Sequence, residues 1–177
     1  MSKTILLISS SPRKNANSDI LCEEFMRGAQ ESGHSVEKIR LAESDINYCT
    51  GCCSCIGKPG RCVQRDDMNG ILEKILAADV LVLGSPVYFH SFNGIMKTFM
   101  DRVCPIYPLI HGKDVYFIVA AAGGNIPVNN AFKTFRFFTD CLDVTEKGTV
   151  AVTGVWGEGE ASGSRAMKEA RSMGLDA

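Results

Sequence analysis

Cysteine thiolates are both nucleophiles and soft metal ligands, so a dense run of them is the first candidate for chemistry in this chain. Residues 47–66, NYCTGCCSCIGKPGRCVQRD, hold five of the eight cysteines. Cys49, Cys52, Cys55 and Cys62 are spaced C-x2-C-x2-C-x6-C, with Cys53 as an extra thiol. Compact runs of this form can wrap an iron–sulfur cubane, because successive turns of chain bring a thiolate to each corner. Zinc would want two separated pairs, which the crowded C-C-x-C does not supply. Cys49 with Cys52 reads as a redox-active pair, and a loop of small residues without thiol chemistry is the fourth reading. The residues leave these alternatives open. Cys55 to Arg61 also matches the C-x5-R spacing of tyrosine phosphatases. There the cysteine leaves a buried strand into a cradle of backbone N–H groups, whereas here Pro59 removes a donor, so that reading is set aside. Cys22, Cys104 and Cys141 fall in helical patterns and are expected to be packing residues.

Two further stretches carry polar chemistry. SSSPRKNANS (9–18) offers hydroxyls from Ser9, Ser10, Ser11 and Ser18, amides from Asn15 and Asn17, and cations from Arg13 and Lys14. It opens a helical pattern, whose first N–H groups and dipole favour an anion. It is neither GxGxxG nor GxxxxGK[ST], so a terminal monophosphate fits it better than a dinucleotide or a nucleoside triphosphate. GSPVYFHSFNG (84–94) places Tyr88 and Phe89 after a stiffening Pro86, and AAAGGN (120–125) places Gly123 and Gly124 where backbone can approach a flat ring. Together the two loops can wall a planar heterocycle. His90 reads as a surface or hydrogen-bonding residue rather than a catalyst.

These loops need a scaffold. Apolar, β-branched runs at 4–9, 79–86, 114–121 and, more weakly, 148–155 read as strands covered on both faces, and 35–41 as an edge strand. Between them lie amphipathic stripes: Leu21, Phe25 and Ala29 after Asn17 and Ser18, which can cap; Met68, Ile71, Leu72 and Ile75; Ile95, Met96, Phe99 and Met100; Val128, Ala131, Phe132 and Phe135; Ala166, Met167, Ala170 and Met173. Strict alternation predicts an α/β fold with helices on both faces of a five-stranded parallel sheet. Five strands favour the flavodoxin-like order 2-1-3-4-5, a doubly wound sheet whose ligand lies at the carboxyl ends of strands 1 and 3. The cysteine loop follows strand 2 and leaves from the same rim.

The chain of 177 residues, 45% hydrophobic, suits a single domain spanning 1–177. A net charge of −1 gives no electrostatic case for nucleic acid or an anionic membrane as partner. No apolar run is long enough to span a bilayer, and the start is too short for a signal peptide, so a cytoplasmic protein with reduced thiols is expected.

SSPRKNANS, GSPVYFHSFNGIMKTFMDR and CTGCCSCIGKPGRCVQRDDM together resemble the flavodoxin-like NADPH-dependent FMN reductases, and within them the branch of iron–sulfur flavoproteins; the resemblance runs on through EKGTVAVTGVWGEGEASGS. It implies FMN as cofactor, with Ser11, Arg13, Asn17 and Ser18 at its phosphate. Pro86, Val87, Tyr88, Phe89 and Ser91, with Gly123 and Gly124, would surround its ring. His90 stands where the family often has a small residue. The resemblance also implies NAD(P)H as co-substrate and electron transfer to a small-molecule acceptor or a redox protein. A [4Fe-4S] cluster on Cys49, Cys52, Cys55 and Cys62 and a homodimer or homotetramer belong to the same expectation. The flavin would carry the chemistry, so no catalytic side chain is expected.

Overall fold

β1 (Thr4–Ser9), β3 (Val80–Tyr88) and β5 (Lys113–Ala121) are buried along most of their length in the computed structural model, which describes residues 1–177. β2 (Ser35–Arg40) and β6 (Val144–Thr153) are only partly covered, as sheet edges should be. All five run parallel in the order β2-β1-β3-β5-β6, which is the expected 2-1-3-4-5 path of a flavodoxin-like sheet.

The sheet has six strands, however, not five. β4 (Ser91–Phe92) pairs antiparallel with the end of β3, through Tyr88 with Ser91 and Val87 with Phe92. β3 overshoots the carboxyl rim and turns back through Phe89 and His90, whose φ values are 46° and 67°. Two consecutive positive φ angles make the tight hairpin turn that Asn-Gly usually signals. Phe-His carries no such signal, so the hairpin was not legible beforehand.

Strand alternation sends Ile5, Leu7, Val80 and Val82 to one face and Leu6, Ile8, Leu81 and Leu83 to the other. The first face is covered by α1 (Asn17–Glu31) and α5 (Arg165–Leu175). The second is covered by α2 (Met68–Ala77), α3 (Gly94–Arg102) and α4 (Asn125–Thr139). Phe99, Phe117 and Phe135 are fully buried, each contributing roughly 1.5–3 kcal/mol. Phe117 stacks on Phe135 with centroids 5.0 Å apart. On the first face α1 and α5 touch backbone to backbone: a Cβ on Gly28 would fall well inside van der Waals distance of the Arg171 carbonyl, and one on Gly174 would meet that of Phe25. No helix is long and apolar enough to cross a membrane.

Asn17 and Ser18 do not cap α1. Ala16 holds the N-cap position without a side-chain bond, and both polar residues lie inside the first turn. The reason lies in the site.

Candidate flavin cleft and cysteine cavity

The carboxyl ends of β1, β3 and β5 open onto a cavity of about 610 Å³, within the roughly 300–1,000 Å³ usual for small-molecule sites. Ser11, Arg13, Ala16, Asn17 and Ser18 line one end, Pro86, Val87, Tyr88 and Phe89 a second side, and Ala120, Ala122, Val155 and Trp156 the rest. One end is thus polar and cationic, and the remainder apolar and partly aromatic.

The polar end offers the groups an anion would need. The first N–H groups of α1 have no intrahelical acceptor. Ser18, only 2% exposed, has a buried hydroxyl with no hydrogen-bond partner in the protein. A buried hydroxyl is seldom left unpaired, so this one marks a place for a ligand oxygen. Arg13 reaches over the opening and donates from Nη2 to the Trp156 carbonyl at 3.4 Å. Lys14, the other loop cation, pairs instead with Glu43 at 2.9 Å. Ser11 shapes the turn by donating to the Arg13 carbonyl at 2.9 Å.

Asp19 braces this loop from below. It is buried, accepts from Ser9 Oγ at 3.0 Å and from the Asn15 amide at 3.2 Å, and pairs with Lys38 at 2.8 Å and Arg40 at 2.5 Å. Burial alone would raise its pKa, but Lys38, Arg40 and Ser9 outweigh that and hold the carboxyl below its ordinary value. Lys38 also pairs with Glu23, and Arg40 with Glu43, so the charges beneath the loop are balanced and Arg13 is left to face the cleft. Asp19→Asn weakens that brace, and loss of FMN retention without loss of the folded far-UV spectrum is the expected outcome.

Ser9 and Asn15 therefore support the loop without lining the cleft. Ser91 sits in β4, and Gly123 and Gly124 lie just beyond Ala122, with Gly124 at the start of α4. None of these three lines the cavity. His90 is exposed at the hairpin tip, its Nδ1 3.4 Å from Asn130 Nδ2.

Asn93 and Trp156 escaped the sequence reading. Asn93 accepts from the Met96 amide at 3.1 Å, capping α3, and donates to the Ser10 carbonyl at 2.7 Å, while its own amide donates to Ser85 Oγ at 3.2 Å. One buried side chain thereby ties the phosphate-side loop to the ring-side loop. An asparagine before a helical stripe is a cap signal, but its second partner lies 83 positions away. Trp156 is 80% exposed at the cleft. Its segment is pinned by Asn17, which donates to the Gly157 carbonyl at 2.7 Å and accepts from the Ala161 amide at 2.9 Å. That duty, rather than capping, is the work of Asn17.

The cysteine loop goes elsewhere. Cys49, Cys52, Cys53, Cys55 and Cys62 line a second, small cavity together with Cys104, Asp101 and Arg102 at the end of α3, and the two cavities share no residue. Cys104 was expected to pack; it is exposed, with its Sγ 3.7 Å from Cys55 Sγ. Cys141 is exposed as well, and only Cys22 is a core residue, its thiol pushed up to about 12 by burial. Arg102, 1% exposed, anchors both ends of the loop: it donates to the Asn47 carbonyl at 2.5 Å and to both Asp66 oxygens at 2.7 and 2.8 Å. Asn69 closes the second half by accepting from the Cys62 amide at 2.8 Å and donating to the Cys62 and Gln64 carbonyls. Hydrogen bonds from Ser54 hold the exposed Cys52 thiol below its ordinary pKa. Six thiols thus surround one cavity, although no three His, Cys, Asp or Glu side chains converge on a common metal position.

The chain is similar to several known proteins. An iron–sulfur flavoprotein of Archaeoglobus fulgidus is 40% identical over 122 residues, covering 68% of this chain and 55% of the relative. One from Methanocaldococcus jannaschii is 39% identical over 102 residues, covering 58% and 52%. The chain spans about half the length of these curated relatives. An azoreductase from Bacillus anthracis superposes over the full length of both chains with a TM-score of 0.77 at 18% identity. An NAD(P)H:quinone oxidoreductase from Methanothermobacter marburgensis covers 99% of this chain and 97% of its own, also at 0.77, with 17% identity. At such identities the likeness speaks for the fold. The family described as NADPH-dependent FMN reductase matches residues 4–171, nearly the whole chain, and the chain belongs to that family.

Proposed function

We propose that the chain is an FMN-dependent NAD(P)H oxidoreductase that passes reducing equivalents to a small acceptor of the flavin or quinone type. The observation that carries this reading is the unpartnered Ser18 hydroxyl, buried beside Arg13 at the N-terminus of α1 and at the polar end of an otherwise apolar cleft. Ser11, Arg13, Asn17 and Ser18 hold the FMN phosphate, and Pro86, Val87, Tyr88 and Phe89 flank the ring. FMN, when bound, supplies the hydride and electron chemistry. The protein contributes orientation: Asn93 sets the spacing of the two loops, Asp19 keeps the phosphate end rigid, and Trp156 and Phe89 leave an aromatic-rimmed opening for a planar partner. The ring end is lined by apolar and aromatic side chains, with the Tyr88 phenol the one ionisable group among them, and the reacting atoms are those of cofactor and substrate.

The experiment is a pair of variants measured with and without flavin. Ser18→Ala leaves the stability of the flavin-free protein unchanged or raises it, because the hydroxyl has no protein partner to lose. It weakens FMN binding by roughly tenfold, the worth of one hydrogen bond to a charged acceptor. Arg13→Ala weakens binding by a similar or larger factor. Titration by flavin fluorescence quenching reads both, and undiminished affinity in both variants would remove the phosphate assignment.

A second reading is favoured by one observation, the gathering of six cysteines around a single cavity. Here Cys49, Cys52, Cys55 and Cys62 hold a [4Fe-4S] cluster, and the chain carries electrons between that cluster and FMN for a redox-protein partner, within a homodimer or homotetramer. The names of the iron–sulfur flavoprotein relatives support it. Iron and acid-labile sulfide measured per FMN on protein purified without oxygen separate the readings: about four of each for the carrier, none for the simple reductase.

A further inference from the structure

All eight cysteines are free thiols, and Cys55 Sγ lies 3.7 Å from Cys104 Sγ although the residues are 49 positions apart. The approach is held from both sides. The Gly60 amide donates to the Pro105 carbonyl at 2.7 Å, one residue from Cys104. Arg102, two residues before it, is buried and fastened to Asn47 and Asp66 at the ends of the loop. The sulfurs need to close by roughly 1.7 Å to reach a disulfide bond length of about 2.05 Å. The loop between these anchors can follow, since Gly51, Cys53 and Gly60 already occupy the left-handed region, with φ of 65°, 56° and 103°. Cys104 is exposed and Cys55 half-buried, so a small oxidant has access to the pair.

We propose that Cys55 and Cys104 form a dithiol site that hydrogen peroxide converts to a disulfide, stapling the cysteine loop to the end of α3. The Cys104 thiolate attacks one peroxide oxygen; an S–O bond forms as the O–O bond breaks, and the departing hydroxide takes a proton to become water. The Cys55 sulfur then attacks the Cys104 sulfenic sulfur, forming the S–S bond and releasing a second water. Two thiols thus lose two electrons and two protons, and one peroxide becomes two waters. A dithiol reductant reverses the step by exchange. In the disulfide form Cys55 is unavailable to a metal, so the oxidised site and a cluster that uses Cys55 exclude one another. The proposal itself requires neither flavin nor iron.

The test uses the full chain, reduced with dithiothreitol in the presence of a chelator, desalted, and treated with one equivalent of hydrogen peroxide. Free thiols are then alkylated and tryptic peptides read by mass spectrometry. Peptide 41–61 carries Cys55 and peptide 103–113 carries Cys104. The expected result is a product joining the two peptides with the loss of two hydrogens, and loss of alkylation at Cys104. The link disappears in Cys55→Ser and in Cys104→Ser, persists in Cys49→Ser and Cys53→Ser, and is undone by dithiothreitol. Cys104 is exposed, so its serine variant keeps the far-UV spectrum of the parent. Oxidation confined to bonds within 41–61, a Cys104 that stays fully alkylatable, or a link that survives Cys55→Ser would overturn the proposal.

Discussion

Arg102→Ala is expected to lower the unfolding free energy by about 3–5 kcal/mol, the usual cost of leaving one member of a buried ion pair without its partner. Arg102 and Asp66 have side chains 1% and 0% exposed, so solvent cannot replace the lost guanidinium. The Asn47 carbonyl loses its donor in the same stroke. For a chain of this length each kcal/mol is worth roughly 2–4 °C, so the midpoint falls by about 6–20 °C. Thermal and urea unfolding of the variant read this directly. Arg102→Met combined with Asp66→Leu removes both charges and should recover much of the loss, because the pair's desolvation cost is then absent. A double variant no better than Arg102→Ala would mean that the loop ends, rather than the unpaired carboxylate, carry the penalty.

The same pair sets an acid limit. Hydrogen bonding from Arg102, opposed by burial and aided by the Asn47 and Met68 amides, holds the Asp66 carboxyl down at about 2, against 3.8 ordinarily. A folded-state pKa depressed in this way gives stability that is fully present above the unfolded value and lost as pH falls through the folded one. Stability should therefore decline between about pH 4 and pH 2 in the parent. The corresponding decline should be shallower in the doubly neutral variant. Equal slopes would assign the acid lability to other carboxylates.

Gly28→Val should have the second large effect, and it reaches the cleft through the fold. Any Cβ at Gly28 collides with the Arg171 backbone, and Gly174 opposite leaves α1 no room to retreat. Separating two helices that pack backbone to backbone exposes the face built from Leu21, Phe25, Ala166 and Ala170. Overpacking of this kind costs about 1–3 kcal/mol even where side chains can give way, and here the obstacle is main chain. α5 is the weaker partner and should detach first. The segment before it, which carries Trp156 and is tied to α1 through Asn17, would then lose its anchor. The expected outcome is a protein with much of its helix content, faster hydrogen exchange in α5, and FMN affinity reduced more than ten-fold. Unchanged exchange in α5 with normal flavin affinity would show that the helix contact does not support the third wall.

Much of this was legible in the residues because it is local. Alternating apolar strands and amphipathic stripes led to the doubly wound sheet, and that topology places the loops after strands 1 and 3 together. Ser11, Arg13, Asn17 and Ser18, which the family resemblance singled out within a hydroxyl-rich turn at a helix start, do line one end of the cavity. Pro86 through Phe89 followed from their place after the third strand. The β4 hairpin was not legible, since Phe89 and His90 adopt a turn that their types do not announce. The role of Asn17 was misread as capping because its real partners lie 140 and 144 positions downstream.

By itself the sequence determined the fold class, the rim on which the cleft opens and the residue types available there, since periodicity and turn chemistry act between near neighbours. Only the tertiary structure decided which of those residues share a cavity. It set Trp156 in the cleft and Asn93 between the two loops beside it, left Ser9 and Asn15 as supports, and carried the cysteine loop to the far end of α3, where it gained Cys104 as a neighbour. Such pairings span tens to more than a hundred positions. They depend on how strands cross and helices pack, which no local spacing encodes.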